Sequence, residues 1–244
     1  MNDAKVSIKE LTHRMRDPRW VASHSLRLVR ESAAPMIPSE FNRLFVKVRP
    51  LTMVSYSRLR GLQRAVKHIV KHNIAGDIVE CGVARGGSAA VLGLTLQRLG
   101  AKRDLWLFDT FQGLPRPSHH DPDFEIADLY TGKCLGSVED VSESLASLGI
   151  RDNVHFVPGL FQDTLPGANL ASIAVLHVDG DWYESVKTCL ECFYDKVSTG
   201  GIIQFDDYAH WAGARKAVDE FFANRGIPPV LRKLDFAGRQ MIKG

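Results

Sequence analysis

The stretches IAVLHVDGDWYES (Ile173–Ser185) and GGIIQFDDY (Gly200–Tyr208) each run from an apolar, β-branched segment into a pair of acidic residues. Short apolar runs of this kind, each followed by a helical pattern, predict buried strands of a parallel sheet. In an open α/β sheet, ligands bind outside the carboxyl ends of the strands. The sequence therefore predicts an acidic site at that edge of the sheet.

Four carboxylates form this predicted site: Asp179, Asp181, Asp206 and Asp207. Neighbouring strands lie about 4.8 Å apart, so the two pairs crowd one small volume. Like charges at that spacing cannot all stay ionised without a counter-charge. Since Mg²⁺ readily takes carboxylate oxygens, the pattern predicts a divalent metal site.

Alternating strand and helix patterns along the chain predict an α/β fold, a doubly wound and mostly parallel Rossmann-like sheet. A terminal antiparallel hairpin, with its turn near residues 236–238, is predicted at one edge. The predicted strands cover residues 77–82, 104–109, 153–159, 172–179 and 200–207, and the predicted helices cover residues 56–73, 88–99, 138–148, 182–194 and 212–225.

The first 55 residues differ from the rest, because they mix charges with short apolar patches and contain Pro18, Pro35, Pro38 and Pro50. They predict short helices and loops that form a helical cap or arm over residues 56–244, the catalytic domain. Such a cap is expected to cover the cofactor or acceptor site.

Composition excludes several classes of protein. The chain has 244 residues, 45% of them hydrophobic, and a net charge of +3, which is too weak to predict nucleic-acid binding. No apolar run is long enough to span a membrane, and the N-terminus lacks the apolar segment of a signal peptide. Four cysteines are few for this length and favour a reduced, cytoplasmic protein. Cys189 and Cys192 form a CxxC pair, which is interpreted as structural because it falls in a predicted helix without a second pair.

A glycine-rich turn, ECGVARGGS (Glu80–Ser88), follows the first predicted strand. Dinucleotide and S-adenosylmethionine sites both use such turns, but the G-x-G-x-x-G spacing and the P-loop are absent. Glu80 at the strand end would repel a pyrophosphate and suits a ligand with an ammonium group, as in S-adenosylmethionine. Asp109, at the end of the second strand, is placed to hydrogen-bond a ribose diol.

Beyond these residues, the chain resembles the macrocin O-methyltransferase family, which methylates sugar hydroxyls on macrolides and related natural products. Six motifs carry the resemblance in order and cover nearly everything after Leu51. They are TMVSYSRL (Thr52–Leu59), VECGVARGGSA (Val79–Ala89), LFDTFQGLP (Leu107–Pro115), PGLFQDTLP (Pro158–Pro166), LHVDGDWYES (Leu176–Ser185) and GGIIQFDDYAHWAGARKAVDEFF (Gly200–Phe222).

The resemblance implies a class I methyltransferase fold, S-adenosylmethionine and Mg²⁺ as cofactors, a homo-oligomer and a small-molecule acceptor, expected to be a glycosylated natural product of antibiotic biosynthesis. It implies no nucleic acid or membrane partner. It assigns the metal to Asp179, Asp206 and Asp207 and the general base to Asp181. It assigns the cofactor contacts to Met53, Glu80, Gly82, Ser88, Asp109, Phe161, Gln162 and Asp163.

Several alternatives stay open on the sequence alone. Asp181 could instead cap the following helix, and Asp207 could be a helix-start acid. His177 fits a buried, hydrogen-bonded residue better than a ligand, and Trp211 fits an acceptor pocket or a structural role equally well. At the level of function, the alternatives are a catechol-type O-methyltransferase and a non-catalytic S-adenosylmethionine-binding protein.

Overall fold

The computed structural model describes residues 18–244. This part of the chain contains a seven-stranded sheet and nine α-helices. The strands are β1 (Asp77–Cys81), β2 (Leu105–Asp109), β3 (Val154–Pro158), β4 (Ile173–Val178), β5 (Val197–Phe205), β6 (Arg232–Lys233) and β7 (Arg239–Ile242). The helices are α1 (Pro18–Ala33), α2 (Glu40–Val48), α3 (Tyr56–Lys71), α4 (Gly87–Leu99), α5 (Phe124–Ala127), α6 (Val138–Ser147), α7 (Phe161–Thr164), α8 (Tyr183–Phe193) and α9 (Ala212–Asn224).

The strand order is β3-β2-β1-β4-β5-β7-β6. The first five strands in this order are parallel, β7 pairs antiparallel with β5, and β6 pairs antiparallel with β7. The strand order reverses between β1 and β4, which places the ends of these strands at the usual ligand-binding crevice. The predicted fold class, including the terminal hairpin, is confirmed.

Helices cover both faces of the sheet. On one face, Phe193 of α8 and Phe222 of α9 pack in one apolar cluster with the sheet, and on the other face Phe45, Leu62 and Leu92, from α2, α3 and α4, pack in a second cluster. All six residues of β4 are buried, as expected for a central parallel strand covered on both sides.

The N-terminal segment is more regular than predicted. α1 is a single helix that covers the 16 residues Pro18–Ala33. In α2, Phe41 and Phe45 pack edge-on against Tyr56, with ring centroids 4.8 and 5.1 Å apart. α2 therefore shares its core with the sheet. Division of the chain at residue 55 stays a prediction, and residues 1–17 of the predicted cap lie outside the described residues.

Strand β5 begins at Val197, three residues before its predicted start. Gly200 has φ +79°, an angle typical of a turn, yet the strand continues through this residue. The pairing with β4 shifts in register, from Ile173–Val197 to Val175–Ile202, and this irregularity absorbs the glycine. The CxxC pair lies within α8, as predicted, with Cys189 buried. No helix of residues 18–244 is long and apolar enough to span a bilayer.

Candidate active site

The glycine-rich turn and the first acidic pair touch each other at the carboxyl edge of the sheet. Gly82 has φ +96°, and a Cβ placed there would overlap the carbonyl oxygen of Asp179. Both the positive φ and the close approach require glycine. The end of β1 and the end of β4 therefore form one continuous floor.

Asp109 fixes the shape of this turn. Its Oδ2 accepts hydrogen bonds from the backbone N–H groups of Val83 and Ala84, at 2.6 and 3.1 Å, and its Oδ1 accepts one from Phe111 at 2.8 Å. Ala84 has φ +47°, an unusual conformation for a non-glycine residue that these bonds hold in place. Asp109, which is predicted to bind the ribose, therefore also stabilises the turn from the neighbouring strand β2.

The remaining predicted cofactor residues come to the same edge from separate elements. A Cβ on Gly87, beside the buried Ser88 at the start of α4, would overlap Thr52, so the segment that carries Met53 lies against this helix. A Cβ on Gly180, in the turn after β4, would lie 3.3 Å from the ring of Phe161, so α7 adjoins that turn. Met53, Gln162 and Asp163 are exposed, whereas Phe161 is buried.

Glu80 and His177 form a buried pair on adjacent strands. His177 Nδ1 lies 2.8 Å from Glu80 Oε1, and His177 Nε2 lies 3.4 Å from Asp206 Oδ1. Burial alone would lower the pKa of His177, but the hydrogen bonds to Asp206 and Glu80 raise it to about 9. His177 is therefore the buried, hydrogen-bonded residue that was predicted, and it is protonated at neutral pH. Glu80 Oε2 has no partner among the described residues.

The acidic residues converge as predicted. Carboxylate oxygens of Asp179, Asp181 and Asp207 all lie within 4.8 Å of one another, and Asp179 and Asp206 form a similar group with His177. Burial, followed by the negative charge of the neighbouring carboxylates, raises the pKa of Asp179, Asp181 and Asp207. Asp207 Oδ2 is buried without a hydrogen-bond partner among the described residues. The positive charge of Arg58 offsets this effect only in part at Asp181 and Asp207.

The negative charge of Asp206 is compensated, because Arg58 forms a buried ion pair with its Oδ2. Burial would raise the pKa of Asp206, but the charges of Arg58 and His177 lower it. Arg58 Nη1 also donates to the Asp206 carbonyl at 3.2 Å, and its Nε donates to Asp235 Oδ2 at 3.1 Å. The sequence analysis missed Arg58. The signal was its place four residues before Leu62, on the buried stripe of α3.

Asp181 does not cap the helix that follows it. α8 begins at Tyr183, its N-cap residue Trp182 makes no side-chain cap bond, and Asp181 Oδ1 accepts a 2.8 Å hydrogen bond from Trp211 Nε1. Asp181 has φ +55°, which points to a constrained backbone at the site. Trp211 is only 3% exposed, so it holds Asp181 in place. The helix-cap alternative for Asp181 is wrong.

Comparisons with known proteins now decide the family. The sequence model of the macrocin O-methyltransferase family matches residues 46–241. The chain belongs to the macrocin O-methyltransferase family. It is thus an S-adenosylmethionine-dependent O-methyltransferase, and the resemblance stated from the motifs is confirmed.

Three relatives illustrate the similarity. The 8-demethyl-8-(2,3-dimethoxy-alpha-L-rhamnosyl)-tetracenomycin-C 4'-O-methyltransferase of Streptomyces olivaceus is 36% identical over 77% of this chain and 73% of its own length. The demethyldecarbamoylnovobiocin O-methyltransferase of Streptomyces niveus is 35% identical over the same shares of the two chains. Among solved structures, the O-methyltransferase NovP superposes with a TM-score of 0.73 at 32% identity, covering 79% of this chain and 82% of that chain.

In this methyltransferase, two hydrogen bonds hold the loop between β2 and α6 beside the acidic cluster. Asp121 Oδ1 accepts the backbone N–H of Tyr183 at 2.7 Å, and Trp182 Nε1 donates to the carbonyl of Pro115 at 2.7 Å. Asp121 is 2% exposed and takes the capping role that was considered for Asp181. The sequence analysis missed Asp121, because an aspartate in a polar loop gives no local signal of a partner 62 residues away.

Proposed function

We propose that this methyltransferase moves the methyl group of S-adenosylmethionine to a sugar hydroxyl of a glycosylated natural product, in a reaction that depends on Mg²⁺. The observation that carries the proposal is the cluster of carboxylates with raised pKa, only partly compensated by Arg58, directly against the glycine-rich turn. A methyl donor bound at the turn and a hydroxyl held at the carboxylates would be neighbours. The names of the relatives, a rhamnosyl-tetracenomycin and a novobiocin methyltransferase, support an acceptor of this class.

The residues present fit a divalent cation. Three crowded carboxylates with raised pKa, among them Asp207, whose Oδ2 has no partner among the described residues, are the arrangement that a hard cation relieves. Asp179, Asp206 and Asp207 would hold Mg²⁺. When bound, the cation supplies positive charge and Lewis acidity at the acceptor hydroxyl. Arg58 keeps Asp206 ionised and oriented for this role.

Asp181 is the proposed general base. The bond from Trp211 occupies its Oδ1 and fixes the carboxylate, which leaves Oδ2 to take the proton of the attacking hydroxyl. The hydroxyl oxygen forms a bond to the methyl carbon as the bond from that carbon to sulfur breaks, and S-adenosylhomocysteine leaves. Positioning donor and acceptor at adjoining strand ends supplies much of the rate.

The cofactor is assigned to the residues around the turn. Glu80 Oε2, which has no partner among the described residues, suits the ammonium group, and Asp109 suits the ribose hydroxyls. Gly82 allows the close backbone approach, while Met53, Ser88, Phe161, Gln162 and Asp163 complete the predicted contacts. A cap formed by residues 1–55 and a homo-oligomeric state remain part of the proposal.

A methyl-transfer assay tests the function. The purified enzyme is given S-adenosylmethionine and, in parallel, rhamnosylated natural products and simple catechols, each with Mg²⁺ or with EDTA. We expect methylated glycoside only with Mg²⁺. Preferred methylation of catechol would favour the catechol-type alternative, and full activity in excess EDTA would exclude the metal mechanism. Cofactor binding without transfer to any acceptor would favour the non-catalytic alternative.

A further inference from the structure

A cavity lies beside α3, along a stripe of that helix about 100° around from Arg58. It has a volume of about 480 Å³ and lies between α1, α2, α3 and β6. Its lining includes the cationic side chains of Arg60 and Arg64 on α3 and of Arg232 and Lys233 on β6, together with the apolar Val29 and Ile37. The volume is in the range of small-molecule sites.

The four cationic side chains of this cavity are exposed and have no acidic partner among the described residues. No Asp or Glu is among the lining residues that the structure describes. Arg60, Arg64 and Lys233 make no hydrogen bond or ion pair with any residue of the described chain, and Arg232 bonds the neutral Oε1 of Gln240 at 2.6 Å. Other arginines of the molecule find carboxylates: Arg225, for example, pairs with both oxygens of Asp195 at 2.7 and 2.9 Å.

Four cations that line one cavity, without an acid among the described lining residues, favour an anionic ligand that supplies the opposite charge. Guanidinium groups donate in pairs to phosphate oxygens, and three of the four cations are arginines. We propose that this cavity binds the phosphate or diphosphate group of an organic phosphate. The cationic side chains bind the phosphate oxygens, and Val29 and Ile37 contact part of the organic group.

The proposed site is distinct from the acidic cluster. Along α3, Ser57, Gly61 and Arg64 share the stripe that faces the cavity, whereas Arg58 lies about 100° around the helix from Ser57 and faces Asp206. The carboxylates of the acidic cluster would repel a phosphate. The acidic cluster and the cationic cavity lie at different positions around the helix. The inference does not depend on the proposed methyl acceptor.

Calorimetric titration with inorganic pyrophosphate tests the site. EDTA is present throughout, so that no metal can carry pyrophosphate to the acidic cluster. We expect wild-type protein to bind at low salt and to bind more weakly as salt rises, because rim charges are screened. The double variant Arg60→Gln/Arg64→Gln should bind at least tenfold more weakly, and so should Arg232→Gln/Lys233→Gln on β6.

The matched control is Lys102→Gln/Arg151→Gln, which removes two exposed positive charges that do not line the cavity. It should bind pyrophosphate as wild type does. Thermal melts confirm that each variant folds. Absence of binding by the wild-type protein at low salt, or equal weakening in the control and in the cavity variants, would overturn the proposal.

Two further ligands identify where the phosphate comes from. A nucleoside diphosphate and a nucleoside-diphosphate hexose are each titrated, and the hexose derivative is also tested as a methyl acceptor beside a neutral glycoside. If Arg60→Gln/Arg64→Gln lowers methylation of the nucleotide-linked sugar alone, the phosphate belongs to the acceptor. If pyrophosphate binds yet methylation of both acceptors is unchanged, the site serves a separate phosphate ligand.

Discussion

The two halves of the sheet edge differ in how complete they are without ligands. At the ends of β1 and β2, Asp109 is bonded to three backbone N–H groups. At the end of β4 and just beyond β5, Asp179, Asp181 and Asp207 crowd one another, and an oxygen of Asp207 has no partner among the described residues. In the first half the turn is already held by Asp109, and only Glu80 Oε2 has no partner among the described residues, whereas in the second half the charge of three carboxylates is only partly offset.

This difference separates two ways of preparing a site. Backbone donors that already bind a carboxylate need no reorganisation when the cofactor arrives, and such preorganisation favours binding. Crowded carboxylates hold a free-energy cost that only a counter-charge removes. The glycine half is therefore expected to determine cofactor affinity, and the acidic half is expected to determine metal dependence and chemistry.

The largest expected effect comes from Asp181→Asn, which damages the acidic half alone. The amide keeps the size of the side chain but cannot accept the hydroxyl proton, so turnover should fall by roughly 10²–10⁴. S-adenosylmethionine affinity, measured by calorimetry, should stay within twofold. Asp152→Asn, at an exposed position, is the control and should have normal turnover. Near-normal turnover of Asp181→Asn would remove its role as base.

Gly82→Ala should damage both halves at once, because the glycine lies where they touch. The new methyl group would overlap the Asp179 carbonyl at an unfavourable φ, and we expect a loss of about 3 kcal/mol in the free energy of unfolding, measured with urea. Gly100→Ala has a similar positive φ, +62°, but nothing within 4 Å of the new Cβ, and should cost only about 1 kcal/mol. Equal losses would mean that the contact carries no energy.

Mg²⁺ should stabilise the acidic half. A ligand that binds only the folded state adds about 2.7 kcal/mol at 100 times its Kd, so the melting temperature should rise with Mg²⁺ concentration. In Asp207→Asn this rise should shrink or vanish, while stabilisation by S-adenosylhomocysteine should persist. Identical Mg²⁺ responses of the variant and wild type would place the cation elsewhere.

The smallest effect concerns pH. The pKa of His177 is raised from 6.5 to about 9 in the folded protein, so its stabilisation is complete below pH 6.5 and is lost as the pH rises through 9. In EDTA, the free energy of unfolding should fall by about 2 kcal/mol between pH 7 and 9. His177→Gln should flatten this slope, and the exposed His119→Gln should not. A wild-type protein that gained stability over this range would contradict the assignment.

The sequence predicted the strands to within a few residues, because buried parallel strands have apolar patterns that glycine and aspartate interrupt at their ends. It placed the four aspartates of the site together for the same reason. It did not find Arg58, Asp121 or Asp235, whose long-range partners lie 62 to 180 residues away in the chain. Such pairs depend on how helices and loops dock, and no local pattern encodes that.

The helix-cap alternative for Asp181 fails for a related reason. A preferred N-cap residue at the end of a strand predicts a local bond to the next helix. In the folded chain, Asp121 from a distant loop takes that backbone N–H, and Trp211 takes the carboxylate of Asp181. Long-range contacts therefore override a correct local preference and leave the aspartate available for chemistry.

Asp235 has a consequence for how the enzyme is made. It lies in the turn between β6 and β7, where its Oδ1 accepts the N–H groups of Ala237 and Gly238 and its Oδ2 binds Arg58 and Ser55. Because a ribosome makes the chain from its N-terminus, β4 and β5 are complete before this turn exists. The arginine of the active site thus gains its second carboxylate only when the final hairpin joins the sheet, so a nascent chain cannot acquire the finished site early.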